Sequence, residues 1–134
     1  MNSTAIADIK NGALGVAHAW VAAVNRQDLN GIVGNFTTDA SFLGTSTNTL
    51  ISDVEGVRQY FAKVIQAFVP VKVELGQVTV TELSADSAVI TGFDRWKVTV
   101  NGAPVEAIGR ISMAVAVRNG QWKIVSFHRS SMPY

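Results

Sequence analysis

Two Asn-Gly pairs constrain the fold of this chain more than any other feature of its sequence. Asn101-Gly102 and Asn119-Gly120 each stand between runs rich in β-branched and other apolar residues. An Asn-Gly pair readily occupies the two positive-φ positions of a tight type I′ turn, whose twist suits the antiparallel strands on either side. The pairs therefore predict three consecutive antiparallel strands, over residues 87–100, 104–117 and 121–128.

The first part of the chain has helical periodicity instead. Apolar residues recur at three- and four-residue steps through residues 4–26, which indicates one face of a long amphipathic helix. Asp28 then stands where the N-cap of a second, short helix belongs. Ser52 and Glu55 have the spacing of a capping box, and the apolar residues that follow predict a third helix that reaches Pro70.

Strand candidates lie on both sides of this third helix. Residues 40–43 follow a polar turn that includes Asp39, and residues 71–80 alternate apolar and polar side chains, with Gly76 as the expected bulge. Helices followed by a run of antiparallel strands indicate an α+β domain with the helices packed on one face of a sheet. Because no linker or repeat interrupts this order, residues 1–134 are predicted to form a single domain.

The composition argues against several classes of partner. Hydrophobic residues make up 48% of the chain, but no stretch reaches the roughly 20 apolar residues that a spanning helix needs, so we expect no membrane partner. Eleven basic and ten acidic residues give a net charge of +1 without a basic cluster, and we expect no nucleic acid partner. The absence of cysteine excludes disulfides and thiolate metal sites, and is compatible with the cytoplasmic location that we expect.

The strand over residues 111–117 predicts self-association. Both of its alternating sets of side chains are mainly apolar, whereas a strand with one face in water should alternate with polar residues. The helices suffice to cover only one face of the sheet. We therefore expect a second copy of the chain to cover the other, in a homodimer or a larger ring.

The two ends of the chain resemble a known family. The first helix, with Ala19-Trp20, and the segment 36–42 resemble the first third of proteins in the SnoaL-like and nuclear transport factor 2-like superfamily. The tail over residues 119–133 resembles the closing hairpin of the association (hub) domain of calcium/calmodulin-dependent protein kinase II and of its free-standing bacterial relatives. The resemblance implies a cystatin-like cone, in which N-terminal helices pack on a strongly curved, mostly antiparallel six-stranded sheet and enclose a pocket. It also implies dimers formed sheet to sheet.

Two arginines are the candidate polar anchors of this pocket. Arg110 begins an otherwise nearly uncharged strand, and resemblance to the bacterial relatives implies that it points toward the pocket, although pairing with a carboxylate such as Asp94 would also explain it. Arg129 matches the arginine of the hub-domain His-Arg-Ser run, which the resemblance places in a pocket for small carboxylates, and it is favoured over His128 as the pocket-facing residue.

The remainder of the hub-domain arginine pattern is missing. The two further arginines of that pattern fall on Met113 and Phe93 in this chain, and Arg95 is at most a displaced substitute. The resemblance therefore implies weak binding of short polar carboxylates and better binding of apolar acids.

Three residues are weak candidates for acid–base catalysis: Asp94, Asp39 and His18. Each has an equally simple structural explanation, respectively an outward ion pair, a turn, and a packed or surface histidine. In the steroid isomerases of the superfamily, the resemblance places the base on the positions that Leu43 and Gly44 occupy here, and neither side chain can transfer a proton.

The sequence therefore favours a homo-oligomer that binds a small apolar molecule with a carboxylate or carbonyl group. Neither histidine has a partner at ligand spacing, so no metal site is expected, and no cofactor is implied. Two alternatives stay open: an isomerase, cyclase or dehydratase of the SnoaL type, and a structural assembly module without a ligand. The candidate ligand-binding residues are two arginines and four aromatic residues: Arg110, Arg129, Trp20, Phe42, Tyr60 and Trp96.

Overall fold

The computed structural model describes residues 2–133, in which three helices and five strands form around one hydrophobic core. In chain order the elements are α1 (Ser3–Asn25), α2 (Leu29–Val33), β1 (Phe36–Leu43), α3 (Val54–Ala67), β2 (Lys72–Ser84), β3 (Ser87–Val100), β4 (Ala103–Arg118) and β5 (Gln121–Ser131). Within the described residues, no helix is both long and apolar enough to span a bilayer.

The sheet confirms the predicted α+β architecture. Its strand order is β1-β5-β4-β3-β2, in which β2 to β5 form an antiparallel meander and β1 pairs with β5 in parallel. Asn101 and Gly102 have φ angles of 51° and 80°, and Asn119 and Gly120 have 53° and 78°. Both pairs thus form the positive-φ turns that the sequence predicts.

The resemblance implied six strands, and the described residues contain five. The segment after β1, which begins Gly-Thr-Ser-Thr-Asn-Thr, contributes a single antiparallel bridge between Phe42 and Ile51, with N–H···O distances of 2.9 and 3.1 Å. This segment lacks alternating apolar residues, so it has no face to bury against the helices. It remains a loop fastened to the end of β1.

Two aspartates cap helices. Asp28 accepts a hydrogen bond from the Gly31 amide at 3.0 Å, as predicted, and this bond holds the pKa of the carboxyl below its ordinary value. The predicted cap of α3 is wrong by one residue. Asp53, not Ser52, caps this helix, with Oδ1 accepting from the Gly56 amide at 2.8 Å, because the helix starts at the next residue.

Strand β1 starts earlier than the sequence predicts, and this corrects the assignment of Asp39. Phe36 already pairs with Ile124, and the Ile124 amide donates to the Asn35 carbonyl at 2.7 Å. The residues expected to turn are therefore part of the strand, although its register with β5 is interrupted between Phe36 and Ser41. Asp39 lies within β1 and is exposed.

The helices cover one face of the sheet, which we call the inner face. On β4, Ile111 and Met113 are almost wholly buried against the helices, whereas Arg110 and Ser112 are exposed on the opposite, outer face. Helix α1 packs across the meander strands and places Trp20 in the middle of the core, with none of its surface exposed.

Candidate functional site

A cavity of about 200 Å³ lies between the helices and the inner face of the sheet. Half of the residues that line it are aromatic: Trp20, Phe42, Tyr60, Phe61, Phe68, Trp96 and Phe127. An apolar cavity of about 150 Å³ can hold a benzene molecule. The space therefore suits a molecule of one or two rings and is small for the four fused rings of a steroid.

One charged side chain, Arg129, reaches the cavity among the described residues that line it. It lies near the end of β5, and its guanidinium extends across the inner face to Asp94 on β3. Nε lies 2.9 Å from both carboxylate oxygens, and Nη2 lies 2.8 Å from Oδ1. The side chain of Asp94 has no exposed surface, and that of Arg129 is 11% exposed.

Trp96 completes what we call the polar cluster, formed by Asp94, Trp96, Arg129 and Thr45. The indole Nε1 of Trp96 donates to Asp94 Oδ2 at 2.9 Å, because residues two apart on a strand share a face. The guanidinium of Arg129 lies 5.5 Å from the centre of the Trp96 ring, a cation–π distance. The cluster is fixed from several sides and carries no net charge.

Arg129 has few donors left for a ligand. A guanidinium has five N–H groups. Besides the bonds to Asp94, Nη1 donates to Thr45 Oγ1 at 2.8 Å and Nη2 donates to the Ala107 carbonyl at 3.3 Å. One hydrogen on Nη1 therefore has no acceptor among the described residues. The arginine can donate one hydrogen bond into the cavity, but a bidentate grip on a carboxylate would require breaking existing bonds.

Two glycines make room for side chains of the site. A Cβ on Gly109 would overlap the guanidinium of Arg129, which crosses β4 at this point to reach Asp94. A Cβ on Gly44 would overlap the phenol ring of Tyr60. Each glycine is therefore required for the packing of a cavity residue, and neither was singled out from the sequence for this reason.

Tyr60 supplies a hydroxyl where the cavity meets solvent. Its oxygen accepts from Ser46 Oγ at 3.1 Å, and its ring lies 4.8 Å from that of Phe42. Thr45 and Ser46 line the same side and are exposed. The phenol proton of Tyr60 has no acceptor among the described residues and is free to bond a ligand.

Trp20 carries a third donor without an acceptor among the described residues. Its indole Nε1 is buried and makes no hydrogen bond to any described residue. Its ring contacts three other cavity residues, with centroid distances of 6.3 Å to Phe61, 6.1 Å to Trp96 and 5.2 Å to Phe127. A buried donor without a partner costs about 1–3 kcal/mol, so this nitrogen calls for an explanation.

The structure brings five of the six candidate ligand-binding residues to the cavity and corrects the sixth. Arg110 is exposed on the outer face, where Nε donates to Ser130 Oγ at 3.2 Å. The physical reason is alternation, because Gly109 and Ile111 occupy the inner face on either side of it. The same alternation places His128 on the outer face and Arg129 inside.

The residues considered for proton transfer do not reach the cavity. His18 is exposed on α1 and Asp39 is exposed on β1, and neither contributes to the lining. Asp94 is close, but its two oxygens accept from Arg129 and Trp96 and have no exposed surface. Arg95, the possible substitute for a missing arginine, pairs with Glu74 on the outer face at 3.6 Å.

The contact between Asp94 and Trp96 could have been found from one signal in the sequence. Asp94 and Trp96 stand two apart in a predicted strand, which places an acceptor beside an indole donor on one face. The partnership with Arg129 was not predictable in this way. It depends on the register of three strands and on the space over Gly109.

Comparison with solved structures supports this fold. A protein from Xanthomonas campestris, assigned as a calcium/calmodulin-dependent protein kinase II association domain, is 26% identical, with 90% of this chain and 85% of that chain covered and a TM-score of 0.83. A Novosphingobium aromaticivorans protein assigned as a scytalone dehydratase is 10% identical, with coverages of 98% and 89% and a TM-score of 0.86. A ketosteroid isomerase-like protein from Erwinia carotovora is 17% identical, with coverages of 92% and 95% and a TM-score of 0.78.

The last two similarities concern the fold alone, since their identities are low. No curated protein matches the sequence. The family model described as the SnoaL-like domain matches residues 14–134. Because this match spans most of the chain, the chain belongs to the SnoaL-like domain family.

Proposed function

We propose that this protein binds a small, uncharged, mainly aromatic molecule that carries an oxygen acceptor, such as a carbonyl. The observation that supports this most directly is the neutral polar cluster, set in an otherwise aromatic cavity of about 200 Å³. The spare Nη1 hydrogen of Arg129 and the hydroxyl of Tyr60 provide donors for the acceptor of the ligand.

The sequence allowed either a carboxylate or a carbonyl group on the ligand. We now propose a carbonyl group. The positive charge of Arg129 is already compensated by Asp94 at 2.8 Å. A ligand carboxylate would lose its hydration on entering the cavity and would stand near the buried carboxylate of Asp94, which disfavours its charged form. A neutral acceptor needs one hydrogen bond and avoids both costs.

The cavity gives less support to an enzyme of the isomerase or dehydratase type. Proton transfer needs a general base within hydrogen-bond reach of the substrate. Among the described residues that line the cavity there is no carboxylate and no histidine. An assembly module without a ligand would not need the spare donors beside the aromatic walls.

We further propose that the chain self-associates through the outer face of its sheet, and that it acts in the cytoplasm. The relative from Xanthomonas campestris is assigned as an association domain. The outer face exposes Phe93 (37%) and Ile108 (41%), which pair across the strands with Arg110 and Arg95, and it also carries small neutral residues such as Thr91 and Ser112. A surface that combines exposed apolar and polar side chains in this way can pack against a second sheet.

Calorimetric titration with 1-tetralone, a neutral two-ring ketone, tests the proposed cavity. The wild type should bind it at least tenfold more tightly than tetralin-1-carboxylate, its anionic counterpart. Ala107→Phe should abolish binding, because Ala107 lines the cavity and a phenyl group there would fill it. Tighter binding of the carboxylate would contradict the proposal.

Ala103→Phe is the matched control for this experiment. It places the same side chain on the same strand, at an exposed position that does not line the cavity. Binding of 1-tetralone should persist in this variant. Equal loss of binding in both variants would show that the ketone does not occupy the cavity.

A further inference from the structure

We infer that the ligand carries a neutral hydroxylated substituent, such as a sugar, which binds in a second cleft beside the cavity. This inference rests on the proposed function and makes it more specific, because the aromatic ketone in the cavity is then the core of a glycoside or a similar ether. The second cleft, which we call the side cleft, lies between α3 and the loop after β1. Its volume is about 430 Å³, compared with about 200 Å³ for the cavity.

The first support is that the side cleft borders the cavity. Four residues line both spaces: Ser46, Tyr60, Val64 and Phe68. Tyr60, Val64 and Phe68 follow one another at four-residue steps, so they form one row along α3 and its C-cap. A substituent that leaves the cavity beside Tyr60 and Ser46, where the cavity meets solvent, therefore enters the side cleft.

The second support is the change in chemistry between the two spaces. The neighbouring row of α3, formed by Gln59, Lys63 and Ala67, lines the side cleft but not the cavity. Gln59 and Lys63 are exposed, and the loop opposite them adds the hydroxyls of Thr47 and Thr49. An amide and two hydroxyls both donate and accept hydrogen bonds, and an ammonium donates. The hydroxyl groups of a sugar need partners of both kinds.

The lining favours a neutral group over an anion. Lys63 is the one charged residue among the described residues that line the side cleft. An ion pair with an exposed ammonium contributes at most about 1 kcal/mol, so this lysine alone selects an anion weakly. Val64 and Phe68 add an apolar surface on which the C–H face of a sugar ring can pack.

The two donors of the cavity determine where the substituent is attached. Arg129 Nη1 donates to Thr45 at 2.8 Å, and Tyr60 accepts from Ser46 at 3.1 Å. Thr45 and Ser46 are consecutive residues of the loop, so a carbonyl bound by these donors lies next to the loop, where the side cleft begins. The substituent therefore leaves the ring system close to the carbonyl, since the opposite end faces buried residues such as Trp20.

Calorimetric titration with three derivatives of 1-tetralone tests this inference. One carries β-D-glucose on an oxygen at C8, beside the carbonyl, another carries a methoxy group at C8, and the third carries the same glucose on an oxygen at C6, at the far end. The wild type should bind the 8-glucoside about tenfold more tightly than 8-methoxy-1-tetralone, the scale of one or two net hydrogen bonds. It should also bind the 8-glucoside at least about tenfold more tightly than the 6-glucoside, whose sugar cannot reach the side cleft.

The double variant Gln59→Leu/Lys63→Met removes two polar groups of the side cleft at exposed positions, where the substitutions should not disturb folding. The advantage of the 8-glucoside over 8-methoxy-1-tetralone should almost disappear in it. Gln66→Leu is the matched control, because Gln66 is exposed on the same helix and lines neither space. The tenfold advantage should persist in this control.

The outcomes separate the two proposals. If 1-tetralone binds but the 8-glucoside has no advantage over the 8-methoxy compound or the 6-glucoside, the side cleft does not bind a sugar, and the proposed function stands. An advantage that survives in Gln59→Leu/Lys63→Met would also overturn the inference. Tighter binding of 8-(carboxymethoxy)-1-tetralone than of the 8-glucoside would overturn it in favour of an anion. Failure of 1-tetralone itself to bind would contradict the proposed function, and the inference with it.

Discussion

Among single residues, Asp94 and Arg129 are expected to contribute most to the stability of the site, because each would be a buried, uncompensated charge without the other. The pair also explains why the cavity accepts an arginine at all. Charges in protein interiors are kept only when they are paired and hydrogen-bonded, and here the guanidinium meets the carboxylate, a threonine hydroxyl and a backbone carbonyl.

Arg129→Met should destabilise the protein by about 3–5 kcal/mol, because the substitution leaves the carboxylate of Asp94 buried and unpaired. Adding Asp94→Asn should restore about 2 kcal/mol, since a neutral amide can stay buried and still accept from Trp96. Urea unfolding measures both values.

The control for this prediction is Arg95→Met, which breaks an exposed pair with Glu74. The two side chains are 47% and 61% exposed, and the loss should stay below about 1 kcal/mol. A double variant no more stable than Arg129→Met alone would show that charge burial does not explain the loss.

At the level of secondary structure elements, the start of α3 offers a direct comparison of two neighbouring residues. Asp53→Ala should lower the free energy of unfolding by about 1 kcal/mol, because the Gly56 amide would lose its acceptor at 2.8 Å. Ser52→Ala should have a much smaller effect, since Ser52 is exposed and caps no amide. Thermal unfolding followed by circular dichroism provides the measurement. A larger effect of Ser52→Ala than of Asp53→Ala would support the predicted capping box of Ser52 and Glu55 instead.

The order and type of the elements could be predicted from the sequence because local chemistry determines them. The Asn-Gly turns, the periodicity of α1 and the N-cap at Asp28 each depend on a few neighbouring residues. Strict alternation of inward and outward side chains does not hold along β5, because the pairing with β4 shifts at Val125. Ile124 and Phe127 are therefore both buried although they stand three residues apart.

The site was less predictable than the fold because it depends on contacts between distant residues. The aromatic walls were expected, and Arg129 was correctly favoured over His128 for the inner face. Arg110 was expected inside because the resemblance to the bacterial relatives implies it, but only the register shows which face it occupies. The neutralisation of Arg129 by Asp94 joins residues 35 apart in the chain, and it is the reason that we propose a ketone and not an acid as the ligand.

For the whole molecule, the proposed assembly depends on the outer face of the sheet. Burial on β4 alternates more clearly than its apolar composition suggests: Met113 is 0% exposed in the core, whereas Ser112 is exposed between Thr91 and His128 on the neighbouring strands. A charge at position 113 would therefore disrupt folding rather than association. Position 112 is the one that tests the proposed interface.

Ser112→Glu should convert the assembly to monomers at micromolar concentration, because the new carboxylates would lose their hydration when two copies pack sheet to sheet. Light scattering should give the mass of at least two chains for the wild type and of one chain for this variant. Gln66→Glu, which adds the same charge at an exposed position of α3, should leave the assembly unchanged. A monomeric wild type, or a dimer that persists in Ser112→Glu with its fold intact by circular dichroism, would contradict association through the outer face. In the second case the interface would have to lie elsewhere on the surface, since a glutamate at position 112 would lose its hydration in an interface formed by the outer face.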